Sequence, residues 1–301
     1  MNTAASHHRV IPPDADGTPV SCVLPAPPTP RPSDLRLVAV DMDGTFLRTG
    51  STYDRGRFAP LRRRMREAGV RFVVASGNQE AQLLGFFPAA EGPAPDGVVS
   101  DNGAIVLADG VRLLETHVPM DALARVLAVL DGDAGLTFIA SGPDGAYLRE
   151  SETPEMRELL TFYHPRYQYV ARTADINGHR VSKIALVDEH GFTQAFLDRL
   201  SEALDGAMVP VVSGHDSVDL IVPGRHKASG LGVLLDHWGL VPGQVAAFGD
   251  SGNDAEMLAR AGYGIAMANA SAAARDAADF MAPANDDDGV LQVLEGWFPA
   301  D

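Results

Sequence analysis

This 301-residue sequence holds a single cysteine, Cys22, so no internal disulfide can form and a secreted fold stapled by such bonds is excluded. Lysine is nearly as scarce. Of the 24 Lys and Arg residues only Lys183 and Lys227 are lysine. Basic residues as a class fall short of the 40 acidic ones, and the formal charge of −16 argues against attraction to nucleic acid or to an anionic membrane. No run of about 18 apolar residues occurs, which argues against a membrane span. No continuous apolar segment of signal-peptide length occurs in the first 34 residues either. These absences lead to the expectation of a cytoplasmic protein that engages neither nucleic acid nor membrane. A small anionic ligand would need local positive charge. The two lysines stand out because an ammonium is a compact point charge that the planar guanidinium does not imitate.

What is present is a globular composition, with 46% hydrophobic residues and a length that suits one large domain or two smaller ones. The first 34 residues carry Pro12, Pro13, Pro19, Pro25, Pro27, Pro28, Pro30 and Pro32 and read as a flexible extension. Strands and helices then alternate over 35–111: an apolar strand at 35–40, an amphipathic helix over 54–68, a strand at 70–75, a helix at 79–87, a strand at 97–100 and a hairpin across Asp109-Gly110. Arg62, Arg63, Arg64 and Arg66 lie on that first helix with Phe58, Leu61, Met65 and Ala68 between them, and read as its solvated face. Residues 112–222 lose the clean alternation and read as an inserted α/β domain. Alternation resumes over 223–301. The two flanks together make one doubly wound, Rossmann-like parallel sheet, with ligands expected at the carboxyl ends of its strands.

The chemistry-bearing motifs fall at such ends. Asp41-Met42-Asp43-Gly44-Thr45 follows the first strand; two carboxylates one residue apart can supply a nucleophile or metal ligand plus an acid/base when both reach one pocket. The same spelling also occurs in solvated turns and in metal-holding sugar transferases. Ser76-Gly77 follows the second strand, where a hydroxyl and glycine N–H groups suit an anion, although a plain helix cap has the same look. Gly249-Asp250-Ser251-Gly252-Asn253-Asp254 is an oxygen-rich loop suited to Mg²⁺ or to ordinary turn chemistry. Lys227 opens a helix beyond a further strand. The joint occurrence of all four favours a site over four separate accidents.

In this order the motifs resemble those of the haloacid dehalogenase-like (HAD) phosphatase superfamily, and the long insertion resembles the α/β cap of its Cof-type branch. The segments 41–47, 75–79, 224–230 and 249–258 look most like the bacterial sugar phosphatases of that branch. The resemblance spans roughly 35–297, is specific in the motifs and is looser in the cap. It implies a Mg²⁺-dependent phosphatase for small sugar phosphates. Asp41 is then the nucleophile and Asp43 the acid/base; the carboxylate of Asp41, the main-chain carbonyl of Asp43 and Asp250 hold Mg²⁺. Ser76 and the N–H groups of Met42 and Gly77 hold the phosphoryl oxygens, Lys227 balances charge, and Asn253 contacts phosphate or substrate. Asp254 orients waters or Lys227, and Thr45 fastens the nucleophile loop.

Other residues carry open readings. Lys183 competes with Lys227 but sits in a strand-like stretch that suggests a cap or edge position, and Asn102 either lines the entrance or makes a turn. Asp286-Asp287-Asp288 reads as a helix N-terminus in preference to a second metal site. His215 and His226 are the two histidines near candidate loops, and ordinary polar loops explain both. Alternative functions are a phosphatase for a nucleotide or cofactor phosphate and a non-catalytic phosphate-ligand-binding protein. The complete set Asp41, Asp43, Ser76, Lys227 and Asp250 counts against the latter. Oligomeric state is open.

Overall fold

The structure is a computed structural model and describes residues 24–300 apart from 91, 133–135, 189 and 214–216. Cys22, most of the expected N-terminal extension and His215 thus lie outside the described residues. The chain begins a sheet with β1 (Leu37–Val40), whose four residues are all buried because both faces are covered, as a central parallel strand requires. Asp54 caps α1 (Arg55–Glu67) by accepting from the Arg57 N–H, and the helix buries Phe58, Leu61 and Met65 at 3–4 spacing. β2 (Arg71–Ala75), α2 (Glu80–Gly85) and β3 (Gly97–Ser100) follow. β4 (Ile105–Ala108) and β5 (Val111–Glu115) close the expected hairpin, with Asp109 and Gly110 both at positive φ as a two-residue turn demands.

The inserted stretch contributes α3 (Met120–Asp131), β6 (Thr137–Gly142), β7 (Gly145–Arg149), α4 (Pro154–Tyr163), β8 (Tyr167–Val170), β9 (Lys183–Val187), α5 (Gln194–Leu204), β10 (Val209–Val212) and β11 (Ser217–Ile221). The chain returns through α6 (Lys227–Trp238), β12 (Val245–Gly249), α7 (Ala255–Arg260), β13 (Tyr263–Met267), α8 (Ala272–Ala277), β14 (Phe280–Ala282) and α9 (Gly289–Trp297).

Among the described residues the strands form two sheets. The larger runs β14-β13-β12-β1-β2-β3-β4-β5, parallel through β3 and antiparallel at the β3–β4 and β4–β5 pairs. The second runs β10-β11-β9-β6-β7-β8 and is antiparallel except for the β7–β8 pair. Its one face packs Phe138, Ala140, Ile184, Leu186, Val218 and Leu220 against Leu123 and Leu127 of α3 and Leu200 of α5. The opposite face buries Ile139, Ala146, Leu148 and Ala185 with Leu160 of α4. This is the expected parallel-sheet core with a separate α/β unit.

Four details differ from the sequence expectation. The boundary expected at 111/112 falls inside β5, which pairs with β4 in the core sheet. Residues 24–34 are not free: the Pro25 carbonyl accepts from the Met281 N–H and the Pro28 carbonyl from the Trp297 indole, so this part of the extension is docked. Arg62 is not on a solvated face. It is fully buried, 2.6 Å from Asp96, because the helix turns that position toward Phe72. Finally β14 was not expected, being only three residues long.

Candidate active site

Strand β1 delivers Asp41 to the carboxyl edge of the sheet, where its N–H still donates to the Phe248 carbonyl of β12 at 3.0 Å. The chain then folds back: the Phe46 N–H donates to the Asp41 carbonyl and the Leu47 N–H to the Met42 carbonyl. Phe46 anchors this loop by packing on Tyr53, Phe58 and Phe72, with ring centroids 4.9, 5.0 and 5.6 Å away. Gly44 lies at φ +74°, and a Cβ there would sit 2.6 Å from Asp250 Oδ2. Only glycine lets the two acidic loops approach this closely. The Thr45 hydroxyl donates to Asp250 Oδ1 at 2.6 Å and ties them together.

Lys227 reaches the same point from the first turn of α6. Its strand neighbour β11 belongs to the second sheet, so the lysine comes from a helix packed over β3 and β4 and not from a core strand end. Lys227 is 99% buried, and its ammonium lies 2.7 Å from both Asp41 Oδ1 and Asp254 Oδ1. Burial opposes its charge, but Asp254 and Asp41 outweigh burial and hold the pKa of Lys227 above its ordinary value. Asp254 Oδ2 accepts from the N–H groups of Asp250 and Ser251, each at 3.0 Å. Both oxygens of Asp254 are therefore committed to fixing Lys227 and the loop.

Burial and the charge of Asp254 push Asp41 well above the ordinary carboxylate range, against the pull of Lys227. Asp250 rises to about 6, chiefly by burial and in part through Asp254. Asp43 is also raised by burial, while a 2.6 Å bond from the Asn78 amide to its Oδ2 pulls the other way. Carboxylate oxygens of Asp41, Asp250 and Asp254 lie within 4.8 Å of one another. An all-oxygen, self-repelling set of this kind suits a hard dication, whose charge would relieve the repulsion. Since Asp254 is occupied, Asp41 and Asp250 are the side chains that fit a metal.

Ser76 is buried after β2, its N–H donating to the Val99 carbonyl and its hydroxyl accepting from the Asn78 N–H at 3.1 Å. Gly77 sits beside it. Asn253 does not point freely into the site: its amide donates to Asn102 Oδ1 at 3.2 Å, and its own oxygen accepts from Ser251. Asn102, at φ 52° in the loop after β3, is no plain turn residue but a buried bridge, donating to Asp219 Oδ2 of β11 at 2.6 Å. Gln79 exchanges two hydrogen bonds with the Arg166 main chain, at 2.9 and 3.0 Å, and so also joins core to cap.

The structure thus brings together Asp41, Met42, Asp43, Thr45, Ser76, Gly77, Lys227, Asp250 and Asp254, with Asn253 one residue removed through Asn102. Lys183 is on an inner strand of the cap sheet, not an edge, buried and 3.1 Å from Asp219. Asp288 does not cap α9 with its side chain; it accepts from Arg48 and Arg57, while Asp286 accepts from the Thr49 N–H. His226 caps α6, accepting from the Ser229 N–H, an ordinary structural use. Asn78 and Asp219 were missed. Asn78 was hidden inside the Ser-Gly-Asn motif; Asp219 could have been flagged as a lone carboxylate in the apolar alternation of β11.

No helix among the described residues is long and apolar enough to cross a membrane. The haloacid dehalogenase-like hydrolase family model matches residues 38–294. The 5-amino-6-(5-phospho-D-ribitylamino)uracil phosphatase YbjI of Escherichia coli (strain K12) is 38% identical over 261 residues, covering 87% of this chain and 95% of that protein. Among solved structures, SMU.1108c from Streptococcus mutans UA159 superposes with a TM-score of 0.80 at 29% identity, over 88% of this chain and 100% of its own. A haloacid dehalogenase-like hydrolase from Bacteroides thetaiotaomicron gives 0.72 at 25% identity, over 87% and 98%.

Proposed function

This chain belongs to the haloacid dehalogenase-like hydrolase family, in its Cof-type branch, and is a phosphoric monoester hydrolase; from that premise we propose that it cleaves small sugar phosphates with Mg²⁺ through an aspartyl-phosphate on Asp41. The observation that carries the reading is the buried Asp41–Lys227–Asp254 chain, with both contacts at 2.7 Å, beside an Asp43 held by Asn78.

An Asp41 oxygen attacks phosphorus and the bond to the sugar oxygen breaks, while Asp43 gives that oxygen its proton. Burial, which raises the Asp43 pKa, favours the protonated start this step needs. Water then attacks the aspartyl-phosphate, Asp43 takes the water proton, and phosphate and free Asp41 result. Lys227 offsets the charge that Asp41 and the phosphoryl oxygens share, and Asp254 keeps the ammonium in place. The Ser76 hydroxyl and the N–H groups of Met42 and Gly77 hold the transferred group, with Thr45 fastening the loop. Asp41, the main-chain carbonyl of Asp43 and Asp250 would hold Mg²⁺, which when bound would supply charge stabilisation to the phosphoryl oxygens. Groups fixed before the reaction need no reorganisation during it, and such placement contributes most of the rate in phosphoryl transfer.

A narrower reading has one observation in its favour. The Escherichia coli relative is named for a substrate whose phosphate sits on a ribityl chain, so a polyol phosphate attached to a larger ring system is the natural second class. Phosphate release from a panel of hexose, pentose, polyol, nucleotide and cofactor phosphates, with and without Mg²⁺, tests both. Release from sugar or polyol esters is expected, and Asp41→Asn should abolish it. Turnover confined to nucleotides would reject the sugar assignment.

A further inference from the structure

Apart from the residues assigned to catalysis, α1 and the segments around Pro88 and Pro93 enclose an open recess of about 260 Å³. Its wall is mostly aromatic and apolar, from Tyr53, Phe58, Ala59, Phe87 and Pro88, with the fully buried Arg62 among the lining residues. Arg62 is poorly served for a buried charge. Its Nη2 lies 2.6 Å from Asp96 Oδ2, an oxygen that also accepts from the Phe72 N–H at 2.8 Å, and 3.5 Å from the Ala94 carbonyl. Its Nε and Nη1 are buried and have no hydrogen-bond partner among the described residues. Burial lowers the Arg62 pKa against the pull of Asp96.

We propose that this recess is a second ligand site, separate from the catalytic one, and that it takes a small monocarboxylate with a flat apolar body. An ion pair that only fastened α1 to the loop before β3 would account for Nη2. It would leave the N–H groups of Nε and Nη1 without acceptors, a costly omission in a buried position. Water is a poor substitute, because a buried water needs several polar partners and most of the remaining wall is ring and aliphatic carbon. A carboxylate answers both needs. Its oxygens give the guanidinium charge-assisted acceptors, and its apolar body lies against Phe58, Phe87 and Tyr53. A phosphate or sulfate would instead set its further oxygens against those rings, where nothing pairs with them. The same rings hold the nucleophile loop, since Phe46 packs on Tyr53, Phe58 and Phe87 with centroids 4.9, 5.0 and 6.0 Å away. An occupant of the recess is therefore one ring away from the loop that carries Asp41.

Calorimetric titration of the full chain with benzoate, benzamide and acetate tests the site. Benzoate should bind with a Kd on the order of 1 mM or tighter. Benzamide keeps the ring and loses the charge, acetate keeps the charge and loses the ring, and each should bind at least tenfold more weakly than benzoate. Arg62→Met should weaken benzoate at least tenfold. Ala59→Phe, which fills the recess and leaves Arg62 with Asp96, should do the same, and it serves alone where Arg62→Met shows no cooperative melt. Saturating inorganic phosphate, which competes for the phosphoryl-binding loop, should leave benzoate binding unchanged. Absence of benzoate binding, equal affinity for benzoate and benzamide, displacement by phosphate, or undiminished affinity in Ala59→Phe would each overturn the site.

Discussion

Replacing Lys227 with Met keeps the length of the side chain and removes its charge, which separates two consequences. The ammonium is buried and sits 2.7 Å from Asp41 and from Asp254. Deleting one partner of a buried ion pair leaves uncompensated charge and costs about 3–5 kcal/mol. For a chain of this size that corresponds to a drop in Tm on the order of 10 °C. The sign with pH follows from the same contacts. The folded-state pKa of Lys227 is raised, so its contribution is fully present at neutral pH and is lost only in strong alkali. Without it, Asp41 rises further, and a raised carboxylate contributes stability at low pH that is lost as pH rises through its folded pKa. The variant's deficit should therefore be larger at pH 8 than at pH 5. Turnover should fall about tenfold to a thousandfold. Urea unfolding at the two pH values and initial-rate kinetics on the best substrate measure these separately. Adding Asp254→Asn should restore part of the stability and none of the turnover. A Lys227→Met protein as stable as wild type at pH 8, with turnover within threefold, would refute the reasoning.

Three further outcomes follow from the same geometry. Asn78→Ala removes the bond that lowers the Asp43 pKa, so the limb of the pH–rate profile belonging to Asp43 should move to higher pH; an unmoved or downward-shifted limb would exclude that pairing. Gly77→Ala puts a Cβ 2.9 Å from Asp219 Oδ2 and 3.1 Å from Asn102 Nδ2, and should cost about 1–3 kcal/mol in denaturant titration together with a severalfold loss of kcat/KM. Asp250, with a folded pKa of about 6, contributes stability that is present in acid and lost as pH rises through that value, so added Mg²⁺ should raise Tm more at pH 8 than at pH 5. A Tm indifferent to Mg²⁺ at both pH values would count against a metal at Asp41 and Asp250.

Much of the core was legible because local chemistry and long-range need coincide there. The all-buried run of β1, the Asp54 cap of α1 and the Asp109-Gly110 turn each announce themselves within a few residues. Asp41, Ser76 and Asp250 follow β1, β2 and β12 directly, at the strand ends where a parallel sheet presents ligands. What stayed hidden depends on partners far along the chain. Arg62 looks like its solvated neighbours until Asp96, in the loop before β3, comes to meet it. Lys183 was read as a cap or edge residue, and it lies in the cap sheet but not at its edge; a lone strand carries no sign of its neighbours, and β11 and β6 flank it only once that sheet has folded. Asn102 and Asp219 are 117 residues apart, and neither residue's local sequence hints at the other.

Covalent chemistry at Asp41 is the centre of the account, and rapid acid quench of enzyme turning over a ³²P-labelled sugar phosphate tests it most directly. The label should appear, stoichiometric with enzyme in the first turnover, on the peptide bearing Asp41, and should be absent from Asp41→Asn. Label on another residue, or an Asp41→Asn enzyme that keeps near-normal turnover, would contradict it.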